Sequence, residues 1–103
     1  MQNLYIFRDT VSGASGDVFQ AVNDAVMRRS CIPSLASVQP EIARDTVVLH
    51  VGTIDFDGDN CPIIRAVEPR IALSGSSPDV VAARDDLMKQ AARYGHGGDI
   101  DEE

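Results

Sequence analysis

Few side chains in this sequence have the types and spacing that chemistry needs. There are two histidines, His50 and His96, and two cysteines, Cys31 and Cys61. His50 falls inside an apolar run with no carboxylate beside it in sequence, and His96 falls in a Gly-rich stretch. The cysteines lie 30 positions apart, which is neither a metal-pair spacing nor a Cys-x-x-Cys redox motif, so both are read as reduced thiols. Asp55-Phe56-Asp57-Gly58-Asp59-Asn60 has the acidic density of a calcium loop. Its glycine comes too early, however, and the twelfth position from Asp55 is Ala66 instead of Glu. A hairpin turn fits it better, because Asp and Asn tolerate the backbone angles such turns require. Gly13 and Gly16 lack the Gly-Lys-Ser/Thr continuation of a phosphate loop, which leaves an ordinary loop. No nucleophile elbow is present. The sequence therefore assigns no catalytic residue, no metal ligand and no cofactor, and the expectation is a protein that is not an enzyme.

Arginine is the residue type with more to offer. The formal net charge is −7, which speaks against a simple electrostatic DNA clamp, since phosphate contacts need Lys or Arg. The charge is unevenly spread. Asp99, Asp101, Glu102 and Glu103 crowd the last five positions, and eight of the nine basic residues are arginines. Guanidinium groups bind phosphate in a bidentate manner and stack on bases. Arg8, Arg28, Arg29, Arg65 and Arg70 are the candidate nucleic-acid contacts, with Tyr5 as a stacking partner worth about 1–3 kcal/mol per base. Each has a plainer alternative. Arg28 and Arg29 suit the last turn of a helix, where they complement its dipole. Tyr5 and Phe7 suit the core beneath a helix.

The elements that must position these residues follow from periodicity. Leu4 to Arg8 reads as a short strand with Tyr5 and Phe7 on one side and Leu4, Ile6 and Arg8 on the other. Residues 10–16 read as a loop. Asp17 or Ser15 is expected to cap an amphipathic helix over 18–30, with Val18, Phe19, Val22, Ala25 and Val26 on its apolar face. Ile32-Pro33 ends it, and residues 30–40 form an irregular crossing. Residues 46–55 give the strongest strand signal, 62–67 its hairpin partner, and 70–73 a possible further strand. Ser77-Pro78-Asp79 opens a second helix, which Gly95 stops after Tyr94.

The expected fold is α+β, a small, mainly antiparallel sheet in β-α-β-β order with a C-terminal helix. One domain covers 1–94 and a disordered acidic tail covers 95–103. That tail either solubilises the chain or competes with DNA for a basic patch. No apolar run is long enough to cross a membrane, and the start Met1-Gln2-Asn3-Leu4 has no leader pattern. An exposed sheet edge makes a homodimer the expected assembly.

Several segments between residues 3 and 73 carry a resemblance. They are Tyr5-Ile6-Phe7-Arg8-Asp9, Phe19-Gln20-Ala21-Val22-Asn23-Asp24-Ala25 followed by Arg28 or Arg29, Leu49-His50-Val51-Gly52-Thr53-Ile54-Asp55 with a Gly turn, and Glu68-Pro69. In this order they resemble the small nonstructural proteins of tailless single-stranded-DNA bacteriophages, the gokushovirus-like branch of the microviruses. Ile54 stands where that family often has an aromatic, and Ser30 or Cys31 stands where many members have another. The resemblance implies a viral, nonstructural, DNA-binding protein that assists genome replication or packaging in the host cytoplasm. Its partner would be single-stranded DNA. The competing expectation is a module that binds host or phage replication proteins without touching DNA. A remoter one is acidic DNA mimicry against a host nuclease.

Overall fold

The computed structural model describes the backbone of residues 1–101 and the side chains of residues 1–93. In chain order the elements are β1 (Gln2–Asp9), β2 (Ser15–Ala21), α1 (Asp24–Ser37), α2 (Pro40–Arg44), β3 (Thr46–Phe56), β4 (Pro62–Ser74) and α3 (Pro78–Asp101). The fold is α+β. Four strands form one antiparallel sheet in the order β2-β1-β3-β4, with a C-terminal helix.

The sheet has one more strand than the β-α-β-β expectation. Ser15–Ala21, read from sequence as the end of a loop and, from Val18, the start of a helix, is strand β2, paired antiparallel with β1. The stripe Val18, Phe19, Val22 also fits a strand, because β-branched and aromatic residues suit a pleated, half-buried surface. Pairing decides the outcome. Phe19 lies opposite Tyr5 and stacks on both Tyr5 and Phe7, with ring centroids 5.8 and 5.4 Å apart. Gly13, at φ 77°, closes the β1–β2 hairpin, and the Asp9 carboxylate accepts from the backbone N–H of Val11.

The helix cap accordingly moves from Asp17 or Ser15 to Asn23. The Asn23 side chain accepts from the Val26 N–H at 2.9 Å. The helix also runs through Pro33, where the sequence expectation ends it. Pro33 is exposed and removes one backbone donor, while Cys31, Leu35 and Ala36 around it are buried. That burial offsets the cost of an interior proline, which is about 3 kcal/mol. The supposed irregular crossing at 30–40 is thus the second half of α1 and the start of α2. Gly75 fixes α2 against the turn after β4, since a Cβ there would lie 1.8 Å from the Ala43 carbonyl oxygen.

β3 and β4 pair from Val47↔Ser74 out to Phe56↔Pro62, so the two strand segments expected at 62–67 and 70–73 are one. The register shifts between His50 and Gly52, where Val67 to Pro69 face Val51 alone. This bulge, together with Pro69, blunts the exposed edge of β4. The 57–60 turn forms as expected. The Asp57 carboxylate accepts from the backbone N–H of Asp59 and Cys61, and Asn60 takes φ 63°.

Ser77 precedes α3, and its carbonyl accepts from Val80 and Val81, but its hydroxyl makes no hydrogen bond. α3 continues past Gly95 to Asp101. The side chains of the expected acidic tail, and Glu102 and Glu103 altogether, lie outside the described residues.

The two faces of the sheet differ. On the inner face Tyr5, Ala21, Val48 and Leu73 pack with Met27, Cys31 and Leu35 of α1 and with Val80 of α3. On the outer face Ile6, Val47 and Leu49, with Val51, form a second cluster made of strand residues only.

Candidate functional site

The candidate arginines do not share one face: Arg8 stands on the outer face, Arg65 and Arg70 occupy inner-face positions of β4, and Arg28 and Arg29 lie on α1, which packs against that inner face. Arg8 is exposed on the outer face at one end of β1, opposite Val47, and donates to the Ser15 hydroxyl from Nε and Nη2 at 3.1 and 3.0 Å. Arg65 pairs with Thr53, on the inner face. These two levels lie six positions apart on β3, or about 20 Å at strand rise. Arg28 on α1 is ion-paired with Asp79 at the start of α3. Arg70 is ion-paired with Asp24, its Nη2 lying 3.0 and 3.1 Å from the two carboxylate oxygens. Among the described residues, Arg29 and Arg65 are exposed and make no ion pair or side-chain hydrogen bond.

Tyr5 leaves the nucleic-acid set altogether. It is wholly buried, with one ring face toward Phe19 and its hydroxyl turned to the first residue of α1. No base can reach it, because the inner-face helix covers the position where a base would stack. Phe7 is partly buried against the same cluster, as the core reading of the sequence has it.

Sequence reasoning missed the network built around Asp24. The Tyr5 hydroxyl donates to Asp24 Oδ1 at 2.6 Å, and Arg70 donates to the same carboxylate. His50 lies beside it, its ring centroid 5.3 Å from that of Tyr5, and its Nε2 donates to Asn3 Oδ1 at 3.0 Å. Burial and the Asp24 hydrogen bond push the Tyr5 hydroxyl well above the ordinary tyrosine range. The hydrogen bond from Tyr5 and the neighbouring Arg70 guanidinium hold the Asp24 carboxyl below the usual carboxylate range. A phenol so hard to ionise is no base at neutral pH, and a carboxylate held by two donors is no acid. The network ties the N-terminus of α1 to β1 and β4. Register is the signal that would have found it: Tyr5, His50 and Arg70 lie side by side on three adjacent strands. Among the described residues, no three His, Cys, Asp or Glu side chains gather as a metal site would require. Cys31 is a free thiol in the core and Cys61 a free thiol in the hairpin loop.

The outer face has the opposite character. Register places Val18, Ile6, Leu49 and Ile71 in one row across all four strands. Leu4, Val47, Ile54, Ile64 and Phe56 extend it along the sheet. Ile6 and Leu49 are each only 8% exposed among their neighbours, whereas Val18, Ile64 and Ile71 are 61%, 65% and 62% exposed. From Val47 to Thr53, where all four strands are paired, this surface spans about 20 Å by about 19 Å, roughly 400 Å² in projection, and it continues along the β3–β4 hairpin to Phe56. That lies within the range of the largest apolar patch on a typical monomer, about 300–600 Å², and such patches are often functional. Arg8 is the one charged residue that register places on it, at its end.

These features define an open-faced antiparallel α+β sheet protein. Compared with protein-family models, curated proteins and solved structures, the chain finds no match. None of its helices among the described residues is long and apolar enough to cross a membrane.

Proposed function

We propose that the chain is a non-catalytic protein-interaction module. Its setting is the one the resemblance implies, the replication or packaging machinery of a single-stranded-DNA phage, and the outer sheet face is its working surface. The observation that supports this reading is the contrast between arginines and apolar residues. Of the arginines that would grip phosphate, Arg8 stands alone on the outer face, and of the four on the helical side Arg28 and Arg70 are held by carboxylates. Apolar residues, in contrast, converge on one uncovered surface almost free of charge. Dispersed guanidinium groups give a weak phosphate footprint, whereas a contiguous apolar patch is the usual sign of a protein partner.

DNA binding is the second reading. Arg8, Arg29 and Arg65 favour it, because they are exposed and, among the described residues, meet no carboxylate. Fluorescence anisotropy with labelled single- and double-stranded oligonucleotides across a salt series separates the two. The protein-interaction reading expects no saturable binding at physiological salt. Saturable single-stranded binding that weakens steeply with salt and is lost in R29A/R65A would establish the DNA reading instead.

A further inference from the structure

The two long helices are held very differently. α1 buries Met27, Cys31, Leu35 and Ala36, three of them in the same core cluster as the sheet. Among residues 78–93 of α3, Val80 alone is buried, Ala83 and Arg84 are half-buried, and the rest are exposed. Val80 lies in the first turn, so the helix beyond it has no comparable anchor. Two polar ties join α3 to α1. Arg28 is ion-paired with Asp79, and Arg84 Nη2 donates to the Leu35 carbonyl at 3.2 Å. The side chains of that ion pair are 34% and 61% exposed, and exposed pairs add little stability. The start of α3 has no side-chain cap, because the Ser77 hydroxyl is buried without a partner. Just before it the chain is fixed: the Gly75 N–H donates to the Thr46 carbonyl at 2.8 Å, and Gly75 is packed on Ala43.

We propose that α3 is a latched arm that opens as a unit about Ser76 and Ser77 while the sheet and α1 stay folded. Opening gives up the burial of Val80 and the two ties to α1. The stacking of Phe19 on Tyr5 and the bonds of Asp24 to Tyr5 and Arg70 lie on other elements and survive it. A helix without a packing partner is marginal in water, so the open arm unwinds and its amides exchange with solvent. Opening also changes α1. Arg28 loses Asp79, its carboxylate partner, and stands free beside the exposed Arg29. The closed arm therefore limits the guanidinium surface that α1 offers to an anionic partner, which makes the Arg28–Asp79 pair an autoinhibitory contact. This inference does not rest on the outer-face reading, because α3 sits on the helical side of the sheet.

Amide hydrogen exchange of the full chain, resolved by residue, tests it. The amides of residues 82–93 should be protected, yet exchange at least about a hundredfold faster than the slowest amides of β3. Two variants then separate the arm from the body. Tyr5→Phe weakens the body alone, so it should speed exchange in β3 at least about tenfold and leave α3 unchanged, because the open form keeps whatever the body keeps. Arg28→Gln breaks the latch from the α1 side and should speed exchange in α3 about two- to fivefold, the range for an exposed ion pair. Far-UV circular dichroism checks that both variants are folded. Exchange of α3 at the same rate as β3, or an α3 that accelerates together with β3 in Tyr5→Phe, overturns the proposal, since the arm would then open only when the whole chain unfolds. Unprotected α3 amides in the wild type overturn it as well, because the arm would not rest closed. An α3 rate unchanged by Arg28→Gln overturns the latch.

Discussion

The two faces of the sheet are built from alternate residues of the same strands, yet they meet different fates. Leu73 and Ile71 stand two positions apart on β4, and the register shift between them, where Val48↔Leu73 is followed by Leu49↔Ile71, turns them to opposite faces. Leu73 faces α1 and α3 and is 2% exposed, whereas Ile71 faces outward and is 62% exposed. Hydrophobicity alone does not separate them. The difference is that the helices return to one side only, so the same alternation that builds a core on the inner face leaves an unused apolar surface on the outer one. The sheet is packed against helices on one side and carries exposed apolar residues on the other, and the proposed interaction role rests on that contrast.

The sharpest way to break this comparison is to truncate both sides of β4. Leu73→Ala should cost about 2–5 kcal/mol by denaturant unfolding, from lost burial and a residual cavity. Ile71→Ala should stay within about 0.5 kcal/mol. Equal losses would mean that something covers the outer face. A smaller effect of opposite sign is expected on the helix that closes the inner face. Pro33→Ala should stabilise the fold by about 1–3 kcal/mol, because it restores a backbone donor at an exposed interior helix position.

Next in size is the network that pins α1 to the sheet. Tyr5→Phe keeps the ring stacking and removes the donor to Asp24, and should cost about 1.5–3 kcal/mol, the range for a hydrogen bond to a charged group. The smallest effects are on pH dependence. The Asp24 carboxyl titrates lower in the folded state than in the unfolded one, so its contribution is present above the ordinary carboxylate range and is lost as pH falls through the folded value. The Tyr5 hydroxyl titrates higher when folded, so its contribution is complete below about pH 10 and is lost as pH rises beyond that. Midpoints of chemical unfolding against pH should show both limbs in the wild type. The alkaline limb should be reduced in Tyr5→Phe.

Much of this architecture is legible in the sequence. The alternation at Leu4–Arg8, the β-branched run from Thr46, the Asp-Gly turn at 57–59 and the Ser-Pro-Asp start of α3 each signal their element through local chemistry. Residues 15–26 mislead because Val18, Phe19, Val22 and Val26 satisfy a helical stripe as well as they satisfy a strand followed by a helix. Only pairing with β1, a long-range contact, decides between them. Pro33 misleads in the same way: its local cost is real, and tertiary burial of Leu35 outweighs it. The candidate site was less legible. Composition marks the arginines, but whether a guanidinium is free or held by Asp24 or Asp79 depends on residues 46 or 51 positions away. The outer face was half visible. Leu4 and Ile6 are evident on one side of β1, but no local pattern says that no helix returns to cover them.

The most direct test of the open outer face is methyl NMR of the dilute protein with a soluble paramagnetic agent. The methyls of Val18, Ile64 and Ile71 should broaden strongly, while those of Val48, Leu73 and Val80 should remain sharp. Protection of Val18, Ile64 and Ile71 equal to that of the core methyls would show the outer face covered, and would contradict the account.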